Sequence, residues 1–212
     1  MAIGRCVEEA FKKALRSLDT DVYKHTNANE IRMILSRPTD ERFPTLFDAF
    51  KAGFSLAEIQ DLTDIAPFFL EKIKNIVDLE QRLSGPATKG DIILARKYGF
   101  TEPELAALTG ISPAEIREIA GDPVYKMVDT CAAEFPATTP YFYSTLDDEC
   151  EIPPNDRNKV LILGSGPIRI GQGIEFDYCT VHAVKALREE QVEVHIVNNN
   201  PETVSTDFDT SD

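Results

Sequence analysis

The chain has 212 residues, 42% apolar and 8% aromatic, and its 22 Lys+Arg against 36 Asp+Glu leave a net charge of −14. That balance excludes a disordered or collagenous chain and disfavours a nucleic-acid partner, since the basic clusters Arg5/Lys12/Lys13/Arg16 and Lys72/Lys74 lie among acids on helical patterns. No stretch reaches the roughly 18–20 apolar residues of a membrane span, the first twenty residues build no signal-peptide core, and Cys6, Cys131, Cys150 and Cys179 form no C-x-x-C pair. The expectation is a soluble cytoplasmic protein with free thiols, no metal site, no nucleic acid and no membrane.

Residues 1–135 read as helical throughout. Val7, Phe11, Ala14/Leu15 and Leu18 recur at the spacing of one buried helix face, as do Phe69, Ile73, Ile76 and Val77. Ser55 with Glu58, Thr101 with Glu104 and Ser112 with Glu115 are capping-box signatures. Pro67 and Pro113 suit first helical turns, and Gly53, Gly99, Gly110 and Gly121 suit helix ends. A shift of 46 residues aligns Lys51, Gly53, Phe54, Glu58, Leu62, Thr63, Ile65, Pro67 and Ile73 with Lys97, Gly99, Phe100, Glu104, Leu108, Thr109, Ile111, Pro113 and Ile119. A duplicated unit with Phe54 and Phe100 in its core follows, because one such unit alone would leave its apolar face uncovered.

Residues 136–158 read as a linker, extended and docked by Tyr141-Phe142-Tyr143, with prolines at 136, 140, 153 and 154. Residues 159–212 then begin an α/β domain. Lys159–Leu163 is a short apolar run expected to be a buried parallel strand, a helix follows from about Glu175 to Glu190, burying Val181, Val184 and Leu187, and Val192–Val197 is a second strand. The fold class is therefore α + α/β: an all-helical domain followed by a Rossmann-like strand–helix–strand unit. Two strands make too small a sheet to stand alone, so the chain is expected to stop inside a domain.

The first strand feeds Gly164-Ser165-Gly166-Pro167-Ile168-Arg169-Ile170-Gly171-Gln172-Gly173. Arg169 stands where a dinucleotide fingerprint needs glycine, and Gln172-Gly173 replace the Lys and Ser/Thr of a phosphate-binding loop, so both nucleotide motifs fail. What remains is a crevice loop at the carboxyl end of a strand, with Gly164, Gly166 and Gly171 shaping it and Arg169 as its cation. The second strand exits into Asn198-Asn199-Asn200-Pro201-Glu202, which opens onto the same edge. Glu175 and Glu202 would face each other there as paired carboxylates, or stand as two solvated surface acids.

The run from Arg157 through Gly164-Ser-Gly-Pro-Ile-Arg-Ile-Gly-Gln-Gly-Ile-Glu-Phe-Asp-Tyr178, with Asn200-Pro-Glu-Thr-Val-Ser-Thr-Asp207 and Phe208-Asp-Thr-Ser-Asp212, resembles the large subunit of carbamoyl phosphate synthetases where the second synthetase half begins. Tyr141-Phe-Tyr-Ser-Thr145, Met127-Val-Asp-Thr-Cys-Ala-Ala-Glu-Phe135 and the helical repeat resemble the family's central oligomerisation domain, so the resemblance covers the whole chain. Departures are small: Ser165 replaces a common third glycine, and Ile168 stands where a polar Asn occurs. Met1 resembles an internal methionine of a longer polypeptide.

The resemblance implies a segment of a cytosolic ligase with two ATP-dependent halves, the first phosphorylating bicarbonate and making carbamate with glutamine-derived ammonia, the second phosphorylating carbamate. It implies ATP and Mg (or Mn) in the complete enzyme and none bound by this segment. The implied partners are a second copy of the chain, through the helical domain, and a glutamine amidotransferase small subunit. It further implies that Glu175 and Glu202 line the carbamate tunnel, with Arg169 and Gly173 beside it and Asn200 in the crevice loop, and that no residue of this segment is catalytic. Two other readings stand beside it: a stand-alone helical scaffold that binds a partner through its repeat, and a small nucleotide-binding protein, which the failed fingerprints weaken.

Overall fold

The computed structural model describes residues 2–18, 24–164, 175–198 and 203–212. They divide into two units, Ala2–Asp122 and Pro123–Asp212, apart from Met1.

The first unit is helical. Its elements are α1 (Val7–Ser17), α2 (Ala28–Leu35), α3 (Arg42–Lys51), α4 (Leu56–Thr63), α5 (Pro67–Leu83), α6 (Lys89–Lys97), α7 (Glu102–Thr109) and α8 (Pro113–Ala120). The three expected capping boxes form at Ser55/Glu58, Thr101/Glu104 and Ser112/Glu115. A fourth, Thr88 with Asp91, opens α6. In each, the hydroxyl accepts from the third backbone N–H of the helix and the acid reaches back to the cap N–H, which satisfies two donors the helix cannot.

The duplication is structural as well as sequential. Gly53 and Gly99 both turn left-handed, at φ 88° and 86°. Behind each, the Phe54 and Phe100 amides donate to the Ala49 and Ala95 carbonyls at 3.0 and 2.9 Å, the five-residue closure that ends a helix on glycine. Thr63 and Thr109 each donate a hydroxyl four residues back, to Ile59 O and Leu105 O at 2.7 Å, and accept from the amides of Ile65 and Ile111 at 3.2 Å. The copies part at their third helix: α5 runs for 17 residues, whereas α8 stops after 8, where Gly121 stands in the place of Asn75. One core joins the copies, with Phe54, Leu70 and Ile76 from the first and Phe100, Leu105 and Ile116 from the second.

Helix α1 docks through a buried acid. Glu8 is buried, accepts from Asn75 Nδ2 at 2.9 Å and lies 3.4 Å from Lys72 Nζ, both on α5. Burial works against the Glu8 carboxylate, but the amide and the ammonium together outweigh it and hold its pKa below the ordinary value. Two expected core positions lie outside: Leu18, just past α1, and Phe69, at 46% exposure, are on the surface. Phe69 sits edge-on against exposed Phe68 in the first turn of α5, before the helix reaches the core.

The helical stretch ends at Ala120, short of the expected residue 135. Gly121-Asp122-Pro123 stops α8, and Val124–Met127 forms a strand, β1, antiparallel to β2 (Phe142–Thr145). Val124 and Tyr125 favour strands, and proline at 123 forbids helix continuation, so the boundary is local chemistry that helical periodicity further along had masked. The segment expected as a linker thus supplies a paired strand, and Glu151 pins the ladder: its amide donates to Tyr125 O at 2.8 Å and its carboxylate accepts from Met127 N at 2.7 Å.

Two parallel strands follow, β3 (Lys159–Leu163) and β4 (Glu193–Val197), in register Val160↔Val194, Leu161↔His195, Ile162↔Ile196 and Leu163↔Val197, with α9 (Glu175–Glu189) as the other regular element. Val184 of α9 and Val194 of β4 are both fully buried, where α9 packs on the face of β4 that carries Val194 and Ile196. Val181 and Leu187 are half-buried rather than buried. On the opposite face Leu161 and Leu163 are 60% and 76% exposed, so β3 is not the buried strand its apolar run predicts: among the described residues one helix covers one face.

Candidate functional site

The carboxyl ends of β3 and β4 lie side by side, because Leu163 pairs with Val197 in a parallel ladder, and the chain leaves both strands at the same edge. The ladder closes with the Gly164 amide donating to Val197 O at 2.8 Å. Gly164 lies close to its neighbour: a Cβ there would come within 2.8 Å of the Asn198 side-chain amide, which would have to shift to admit one. Asn198 Nδ2 in turn donates to Thr203 Oγ1 at 3.2 Å.

Of the residues expected to form the crevice, Gly164 directly follows β3 and Glu175 is the first residue of α9. Gly166, Arg169, Gly171, Gly173, Asn200 and Glu202 lie outside the described residues.

Pattern reasoning missed the polar cluster behind this edge. Asp177, in the first turn of α9, receives two bonds from Ser205 of the short 3-10 turn Val204–Thr206, and Thr203 and Thr206 lie against it. Asp177 and Ser205 stand 28 residues apart, and neither belongs to a periodic pattern. The one signal was that both fall in the two stretches carrying the family resemblance. The tail closes over the other side of β4, with Asp212 exchanging two bonds with the Val194 backbone at 2.9 and 3.0 Å and Arg188 donating to Asp209 O and Thr210 O.

Among the described residues, no group of three or more His, Cys, Asp or Glu converges as a metal site would require, and no helix is long and apolar enough to cross a membrane. A surface depression of near 770 Å³ lies at the end of β1 beside Asp129, Phe135 and Glu151.

Two family models match, one to each unit. The carbamoyl-phosphate synthetase large chain oligomerisation domain matches residues 1–122, and the carbamoyl phosphate synthase preATP-grasp domain matches residues 156–212. Among individual proteins, the chain is 72% identical over its whole length to a carbamoyl phosphate synthase large chain from Methanoregula boonei, 68% identical to that of Methanocorpusculum labreanum and 69% identical to that of Methanoculleus marisnigri. In each case it spans about 20% of the relative's length. The chain belongs to the carbamoyl phosphate synthase large chain family.

Proposed function

We propose that this chain serves in the ligase that makes carbamoyl phosphate from bicarbonate, glutamine-derived ammonia and two ATP, its helical unit mediating self-association and its strand–helix unit opening the carbamate-phosphorylating half. The observation that carries the reading is the coincidence of boundaries: the oligomerisation match ends at residue 122, where the helical unit ends, and the preATP-grasp match covers the β3–α9–β4 unit. In this reading Glu175 and Glu202 keep a passage for carbamate polar between the halves, with Arg169 and Gly173 beside it and Gly164, Gly166, Gly171 and Asn200 shaping the crevice.

The described residues do not fit a site for ATP and Mg. Phosphoryl transfer needs carboxylates for the metal, and no group of three or more His, Cys, Asp or Glu converges among them. No chemical step is therefore assigned to these residues, and a glutaminase subunit supplying ammonia belongs to the complete enzyme.

The test compares the 212-residue chain with a complete large chain that contains it. The complete protein is expected to make carbamoyl phosphate from bicarbonate, ammonia and ATP, whereas the 212 residues alone make none and sediment as a dimer or larger. Carbamoyl phosphate formed by the short chain would overturn the assignment of phosphoryl transfer to other residues, and a strict monomer at high concentration would remove the self-association.

A further inference from the structure

Asp177 is an acid on a surface helix, yet it is only 2% exposed. Its carboxylate is gripped at both oxygens: Oδ2 accepts from the Ser205 amide and Oδ1 from the Ser205 hydroxyl, each at 2.6 Å. Ser205 is itself fully buried, and its hydroxyl lies 3.4 Å from Thr203 Oγ1, which is 3.2 Å from Thr206 Oγ1 and accepts from Asn198 Nδ2. A continuous run of bonds therefore joins the first turn of α9 to the residue that leaves β4 and contacts Gly164. Burying a carboxylate is costly unless its oxygens are bonded, and both of these are, by donors that are themselves buried and would lose their acceptor without it. What a doubly held carboxylate adds is fixed geometry, at the edge of a parallel sheet where ligands are received.

We propose that Asp177 is a positioning residue, which locks the 3-10 turn Val204–Thr206 onto the first turn of α9 and so fixes the polar cluster behind the carboxyl ends of β3 and β4 in the carbamate-phosphorylating half. It touches no substrate. The proposal rests on the functional reading above for its effect on turnover, but not for the lock itself. Aspartate suits the site because both partners are donors: asparagine has the same size but turns an amide N–H toward one of them, and alanine leaves both without the acceptor.

The experiment has two arms. In a complete large chain carrying this segment, Asp177→Asn is expected to lower the kcat for making ATP from carbamoyl phosphate and ADP by about tenfold or more, with the KM for ADP within about twofold, as a loss of positioning rather than of binding predicts. Bicarbonate-dependent ATP hydrolysis, the work of the other half, should stay within about twofold, and so should both rates in Glu189→Gln, an exposed acid at the far end of α9. Ser205→Ala should shift the same rate in the same direction.

In the 212-residue chain, Asp177→Asn should speed hydrogen exchange at the Ser205 amide by about tenfold while the Gly164 amide, in the β3–β4 ladder, keeps its protection. Unchanged Ser205 exchange, or equal acceleration at Gly164, would overturn the lock. An unchanged kcat, or an equal fall in both partial reactions, would overturn its role in turnover. A wild-type complete chain lacking both reactions would instead sink the functional reading, and the exchange arm would still decide the lock.

Discussion

At Phe100, burial and charge coincide: the ring is 2% exposed, and Lys12 Nζ of α1 sits 4.0 Å above its centroid while also pairing with Glu104 at 2.7 Å. Removing the ring opens a cavity and strips a cation of its π partner, so Phe100→Ala is expected to cost the helical unit about 3–5 kcal/mol in chemical denaturation. Phe68→Ala, at an exposed ring in the first turn of α5, should cost within about 0.5 kcal/mol. Glu8 gives a pH signature. Its folded-state pKa lies below the ordinary carboxylate value, so its contribution is present above that value and is lost as pH falls through the depressed one. Acid titration of Glu8→Gln should therefore show a shallower loss of stability over that interval than the parent chain. Among these residues, Phe54 and Phe100 were legible as core because each follows a glycine helix end at the same place in the repeat. Phe69 was misread because helical spacing assigns a face and says nothing of where along the helix the core begins.

At the scale of elements, the repeat shows how one helix end can be built in two ways. Both copies close the helix before the Pro-started one with a left-handed residue: Gly110 at φ 72° in the second, and Asp64 at φ 55° in the first. Aspartate tolerates that conformation; alanine does so poorly. Gly110→Ala is thus expected to destabilise the helical unit by about 1 kcal/mol through backbone strain, since open space surrounds the new methyl, with the midpoint of urea denaturation as the readout. Such ends were readable because capping and glycine closure involve residues three to five apart. The box at Thr88/Asp91 escaped because the pattern sought glutamate at its third position, and a shorter acid makes the same two bonds at 3.1 and 3.2 Å. What sequence could not reveal were pairings across long separations: β1 with β2, and Asp177 with Ser205. Neither leaves a local period.

For the whole molecule, the two units present different surfaces. The helical unit gathers one buried core and leaves single apolar residues such as Met33 and Phe68 at its surface, whereas the strand–helix unit leaves Leu161, Leu163 and Val197 together in the open on the face away from α9. An apolar sheet face of that kind is what a doubly wound domain covers with a second layer of helices. Sequence predicted β3 as buried because the apolar run is the mark of a two-sided interior strand, and among the described residues only one of those sides has a helix on it.

The point at which the helical unit gives way to the next has a chemical character of its own. The last residue of the first unit is Asp122 and the first of the second is Pro123, and theirs is the sole Asp–Pro peptide bond in the sequence. Such a bond is the most acid-labile in a polypeptide, because the aspartyl carboxyl attacks its own carbonyl carbon and the proline nitrogen leaves readily once protonated. Warm dilute formic acid should accordingly sever the chain at that junction and yield two peptides, Met1–Asp122 and Pro123–Asp212, a division that mass spectrometry would read directly. The residue pair that ends a helix and starts a strand would thus also serve as a built-in chemical scissor, delivering each unit whole without any protease.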